Sequence, residues 1–251
     1  MKKGKRFQIN KPALLLALAV LLLAASTVGS TRAALTYYSE TYLAQVDMSS
    51  IGVTLVENGE EISSRDYEGN GWNATQGELL SGLLGEGEKL IPGKRYDEEI
   101  QVKNSGNIDT FVRVILTKSW KDKEGVKDTG LSPELIDLNL LEGNGWVVDE
   151  GASTRERVIL YYTEALAPGE STQPLSDTLR IDHTIAEKVS VSETEKPEGT
   201  VAEYKYVYSG YSFCVDAEVN AVQTHNAQEA VKSAWGIDVG VSEDETKISL
   251  Q

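Results

Sequence analysis

The sequence predicts an all-β protein: a jelly-roll-like antiparallel β-sandwich with a short C-terminal amphipathic helix. Three observations point there. Apolar side chains alternate with a two-residue period along most of the chain, Pro-Gly and Asn-Gly pairs stand beside those runs, and one segment has helical spacing. Many short strands without alternating helices form stacked antiparallel sheets, not a parallel α/β sheet.

The strands follow in order. Ile51, Val53 and Leu55 alternate up to the turn Asn58-Gly59. Ile100 and Val102 lead into the turn cluster Asn104-Ser105-Gly106-Asn107. Val112, Val114 and Leu116 share one face of the next run, with Phe111, Arg113 and Ile115 on the other. Val158, Leu160 and Tyr162 alternate, then Leu179, Ile181, His183 and Ile185, then Phe213, Val215, Ala217, Val219 and Ala221. Pro92-Gly93 and Pro168-Gly169 each fit a type II turn, where Pro sets φ and Gly accepts a positive one. Ala227, Ala230, Val231, Ala234 and Trp235 form a helical stripe, with Asn226 and Glu229 placed to cap it and Gly236 to end it.

Residues 64–90, rich in Gly, Asn and Glu, and residues 186–203, with little to bury, are expected as irregular insertions, the first with a short helix at Leu79-Leu80 and Leu83-Leu84. The expected division is a signal peptide over 1–34, a mature N-terminal segment over 35–43, a sandwich over 44–238 and an acidic tail over 239–251.

The N-terminus has the form of an export signal. Lys2, Lys3, Lys5, Arg6 and Lys11 precede thirteen uncharged apolar residues, 13–25, and small residues follow. That run is shorter than the about 20 residues a membrane span needs. Cleavage is expected within Thr31, Arg32, Ala33 and Ala34, after either Ala33 or Ala34, giving a secreted or cell-surface protein whose contact with membrane is limited to an uncleaved signal.

Charge narrows the partners. All 39 acidic residues lie beyond residue 34, and six of the 24 basic ones lie before it, leaving 18 against 39 and a net of −21 downstream. Such a chain repels phosphate backbones, so no nucleic-acid partner is expected. One cysteine excludes an internal disulfide and a Cys-rich zinc site.

No catalytic motif stands out, and the expectation is a non-enzymatic protein without cofactor or metal. His183 shares a strand face with Leu179, Ile181 and Ile185 and is expected as a hydrogen-bonded core residue. His225 stands ahead of the helix, and Asp122, Glu124 and Asp128 alternate with lysines that compete for their carboxylates, a poor calcium loop. Cys214 faces the same way as Asp216, Glu218 and Asn220. Trp72, Trp120, Trp146 and Trp235, with Tyr204, Tyr206, Tyr208 and Tyr211, are core plugs or a sugar-stacking platform. Arg113 is expected to cover apolar surface and reach a carboxylate.

The stretch Gly29-Ser30-Thr31-Arg32-Ala33-Ala34-Leu35-Thr36-Tyr37 resembles signals processed by the SipW-type signal peptidase of Gram-positive bacteria. Three further blocks resemble the TasA/camelysin family that such signals serve. They are Pro92–Tyr96 running into Val102–Val114, then Leu166–Glu170, then Ala221–Ala227 with Ala234-Trp235-Gly236. The resemblance implies a jelly-roll domain exported to the cell surface or biofilm matrix, with that peptidase and itself or related matrix subunits as partners. It also implies a fibre subunit or assembly accessory whose mature N-terminal segment completes a neighbour's sheet. Here that self-assembly strand would hold Leu35, Thr36, Tyr37, Tyr38 and Tyr42, whose aromatic and β-branched character suits an added strand. A monomeric adhesin or glycan-binding module, and a camelysin-like metal-dependent peptidase, are the alternatives.

Overall fold

The computed structural model describes residues 12, 14–21, 50–68, 71–196 and 199–251. The chain divides into two units, Met1–Met48 and Ser49–Gln251. In the first, the described residues are helical and exposed. Among the described residues no helix is long and apolar enough to cross a membrane. The cleavage region Thr31–Ala34 and the proposed strand residues Leu35, Thr36, Tyr37, Tyr38 and Tyr42 lie outside the described residues.

The second unit is the expected antiparallel β-sandwich. Its strands are β1 (Gly52–Glu57), β2 (Glu60–Glu68), β3 (Gly71–Ala74), β4 (Arg95–Asn104) and β5 (Thr110–Lys121). Then come β6 (Lys127–Asp128), β7 (Ile136–Leu140), β8 (Trp146–Val148), β9 (Arg157–Tyr162) and β10 (Ser176–Ile181). The last are β11 (Val189–Lys196), β12 (Gly199–Tyr206), β13 (Ser212–Gln223), β14 (Val239–Val241) and β15 (Ile248–Leu250). The first sheet has the order β3-β2-β1-β4-β10-β7, and the second β13-β5-β9-β8 with β6 beside β5. The chain passes from one sheet to the other between β4 and β5, back at β7, and again at β8 and β10. Every ladder is therefore antiparallel although many sequence neighbours are not paired.

β5 is buried on both faces. Val112, Val114, Leu116 and Trp120 point into the space between the sheets, where they meet Leu55, Ile100, Val102, Leu179 and Ile181 of the first sheet. Phe111 and Ile115 point the other way, into a second cluster with Tyr161, Val231, Trp235, Val239 and Ile248. Two turns close this end of the sandwich through Asn104, which is fully buried. Its Nδ2 donates to Ile108 O and Leu166 O, both at 2.8 Å, and its Oδ1 accepts from Gly106 N at 2.9 Å. Gly169 N donates to Asn104 O, so the Asn104–Asn107 and Pro168-Gly169 turns share one anchor. Gly106 is required there by space: a Cβ would lie 2.5 Å from Ser50 O and 2.6 Å from Gly52 N. Gly93 and Gly169 have φ of 85° and 83°, as the Pro-Gly turns demand.

Several expectations are corrected. Residues 64–90 are not wholly irregular, since β2 extends to Glu68 and pairs with β3, and Leu79–Leu84 form turns instead of a short helix. Residues 186–203 contain β11 and the first part of β12, which pair antiparallel as a hairpin. The acidic tail is a hairpin, β14 with β15, because Val239 and Ile248 bury themselves against β5 and the C-terminal helix. His183 is exposed: β10 ends at Ile181, and Asp182 Oδ1 caps a turn of 3₁₀ helix by accepting from Thr184 N at 2.8 Å. The helix spans Ala227–Trp235 and ends at Gly236 with φ 77°, but Asn226 has φ 53° and makes no side-chain cap.

Arg113 covers apolar surface as expected, yet its partners are an amide and a ring in place of a carboxylate. Its Nε and Nη2 donate to Asn220 Oδ1 at 3.1 and 2.6 Å, and the guanidinium lies 5.3 Å from the Trp235 ring centroid. It fastens the helix to β5 and β13. Replacing Arg113 by Ala should lower stability by about 1–3 kcal/mol in urea unfolding. Arg113→Lys should recover part of the loss, because a lysine reaches the ring without the planar fork.

Candidate functional site

The histidines, acids and tryptophans singled out in the sequence do not converge. His183 stands 3.6 Å from both Asp182 and Glu187, His225 stands 3.7 Å from Glu245, and both imidazoles are exposed. Asp122 Oδ1 accepts from Glu124 N at 3.0 Å and Val126 N at 2.9 Å, which closes a turn. Among the described residues no group of three or more His, Cys, Asp or Glu is placed to hold a metal ion. Trp120, Trp146 and Trp235 are buried, with the first two donating their indole N–H to Ser132 O and Gln173 O at 2.9 and 2.7 Å. Trp72 alone is open, at 56% exposure, beneath the Arg65 guanidinium at 4.7 Å and edge-on to Tyr67.

The feature that does stand out is the edge of the second sheet. β13 pairs with β5 along its whole length, from Ser212↔Lys121 to Gln223↔Thr110. Among the described residues no strand lies on its other side. An unpaired edge presents a row of free N–H and C=O groups, alternating in direction, that matches another strand. β13 lies over β1 of the first sheet, so β2 and β3 project beyond it as a shelf.

A groove of about 400 Å³ runs between shelf and edge. Val53, Arg65, Trp72 and Ala74 form its floor, and Ala217 with Val219 of β13 its wall. A second hollow of about 1150 Å³ opens at the start of β13, between Ser212–Val215, Trp120, Ile181 and the leucines of residues 79–90. Phe213, Ala217, Val219 and Ala221 face inward along β13 and are only half covered. Sequence alternation identified this inward row. It carried no sign that the strand would be last in its sheet, since edge position depends on the order of strands and not on their residues.

The outward row of β13 is polar from Ser212 to Asn220, and Val222 at its end is buried in the outer cluster. Cys214 Sγ stands 3.7 Å from each carboxylate oxygen of Asp216, and Asn220 Nδ2 donates to Glu218 at 3.0 Å. Such charges discourage indiscriminate edge pairing. Partial burial, followed by the Asp216 charge, pushes the Cys214 thiol above its ordinary range. The reactive thiolate is therefore scarce at neutral pH.

Comparison of the chain with protein-family models, curated proteins and solved structures finds no match. The site is thus defined by its own geometry. Alkylation of Cys214 by iodoacetamide at pH 7.5 should be slower than that of free cysteine and accelerate at alkaline pH. Asp216→Asn should speed it by about threefold at pH 7.5 by removing the adjacent charge.

Proposed function

We propose that this chain is an exported, non-enzymatic subunit or assembly accessory of a surface or matrix structure, joined to its neighbours by strand addition. The observation that carries the reading is the unpaired β13 edge standing over a projecting shelf, with an apolar groove between them. A strand added there gains main-chain hydrogen bonds from β13 and buries alternate side chains against the shelf. The donor is residues 35–43. Extended, this segment spans about 30 Å, against about 40 Å for the twelve residues of β13. Tyr37 alternates with Leu35 on one face of that strand, so one row enters the groove while Thr36 and Tyr38 face out.

Other support comes from the sequence. The basic, apolar and small-residue order of residues 1–34 fits export, and the SipW-type and TasA/camelysin resemblance fits an assembling matrix protein. The burial of Trp120 and Trp146 weakens the adhesin alternative by removing most of a sugar platform. Trp72 remains available to it, on the same shelf.

The test is electron microscopy of protein beginning at Leu35, compared with protein beginning at Asp47. The longer chain should form filaments over days and the shorter should stay monomeric. A synthetic peptide of residues 35–43 should raise the melting temperature of the shorter chain by occupying the edge. Filaments of equal yield from both chains would remove the proposed donor.

A further inference from the structure

Glu57 and Glu98 are carboxylic acids where the sandwich has little water. Glu98 is fully buried and Glu57 is 5% exposed. In β4 the buried positions are Tyr96, Glu98, Ile100, Val102 and Asn104, so Glu98 points inward among core residues. Glu57 pairs with Ile100 across the β1–β4 ladder, so Glu98, two residues along the same buried face of β4, is its diagonal neighbour. Asn58 Nδ2 donates to Glu98 Oε2 at 3.4 Å, while Glu98 Oε1 has no donor facing it. A proton between the carboxyl groups turns two acceptors into a hydrogen bond.

Glu57 of this pair holds the leucine segment that walls the large hollow. Leu80 N donates to Glu57 Oε1 at 2.6 Å. Farther along, Ile91 N donates to the Tyr96 hydroxyl at 2.8 Å, so residues 80–91 are tied to the inner face of the first sheet at both ends. Between the ties the segment has turns but no strand or helix. Leu80 holds φ 66°, a left-handed conformation that its side chain disfavours.

We propose that Glu57 and Glu98 form a proton-operated latch: the shared proton holds the leucine segment across the hollow, and its loss frees the segment and opens the hollow beside β13. The charged surroundings favour this. The groups acting on Glu98 are Glu57 and Asn58 of the β1–β2 hairpin, and neither is a cation. On β10, the other neighbour of β4, Ser176 offers a hydroxyl that donates to the Glu98 carbonyl at 2.9 Å. Asp97 and Glu99 flank Glu98 but lie on the exposed face of β4, and Glu78, Glu86, Glu88 and Lys89 in and beside the leucine segment are exposed as well. Lys103 is engaged with Glu61 at 2.8 Å.

Burial, then the hydrogen bond and charge of Glu57, push the Glu98 carboxyl up from 4.5 to about 8. Since the folded value lies above the unfolded one, the stabilisation is complete below pH 4.5 and lost as pH rises through about 8. An ionised Glu98 needs water, and the irregular segment is the element able to yield.

The consequence for assembly rests on the strand-addition reading; the latch itself does not. The test is hydrogen exchange of the full chain, corrected for intrinsic rates, reading amides 79–91 against those of β9. Protection of 79–91 should fall as pH rises from about 4.5, by up to tenfold per pH unit, and level off above about 8, while β9 changes less. Glu98→Gln stays neutral and can still donate to Glu57, so its protection should be flat with pH. Glu57→Ala should leave the segment open at both pH 6 and pH 9. The same fall in Glu98→Gln as in the parent chain, or a flat profile in the parent, overturns the latch. A responsive segment in a chain that never forms filaments upholds the latch and counts against strand addition alone.

Discussion

Burial of β5 on both faces is the constraint around which this fold is built. A strand with one wet face needs only one partner layer, but Val112, Val114 and Leu116 require the first sheet, while Phe111 and Ile115 require something on the opposite side. The C-terminal helix and the β14–β15 hairpin supply it through Val231, Trp235, Val239 and Ile248. Arg113 holds that outer layer in register by bonding Asn220 and lying over Trp235. The layers therefore stand or fall together, because exposing either face of β5 costs the burial of several large side chains.

The same arrangement leaves one side unfinished. Among the described residues the second sheet stops at β13 while the first continues through β2 and β3. A sandwich with unequal sheets must either curl closed, cover its shelf or accept another strand. Here the shelf carries Trp72 and Arg65, and the wall above it is the half-covered row Ala217 and Val219. Strand addition uses both the unpaired main chain and that apolar row. The proposed assembly thereby draws on the fold and on the export signal expected from the sequence.

The central strands were legible because their residues alternate: the inward rows of β4, β5, β9 and β13 are those that periodicity assigned. Pro92-Gly93 and Pro168-Gly169 were legible for a local reason, the positive φ each glycine adopts. What escaped reading depends on distant partners. Residues 239–251 looked like a tail because three consecutive acids, Glu243, Asp244 and Glu245, stand in a short stretch, yet Val239 and Ile248 suffice for a hairpin once Phe111 is behind them. His183 continued the alternation of β10, but Asp182 ended the strand by capping a turn. Glu98 occupied an inward position between Tyr96 and Ile100, a signal obscured by the abundance of acids in this chain.

Amide hydrogen exchange along β13, before and after assembly, tests the account most directly. In the monomer the amides directed toward β5 should be protected and the intervening ones, directed outward, should exchange rapidly. On assembly the outward amides should become protected too, with Trp72 losing its exposure to solvent. Outward amides that exchange as fast in the assembly as in the monomer would contradict strand addition at this edge.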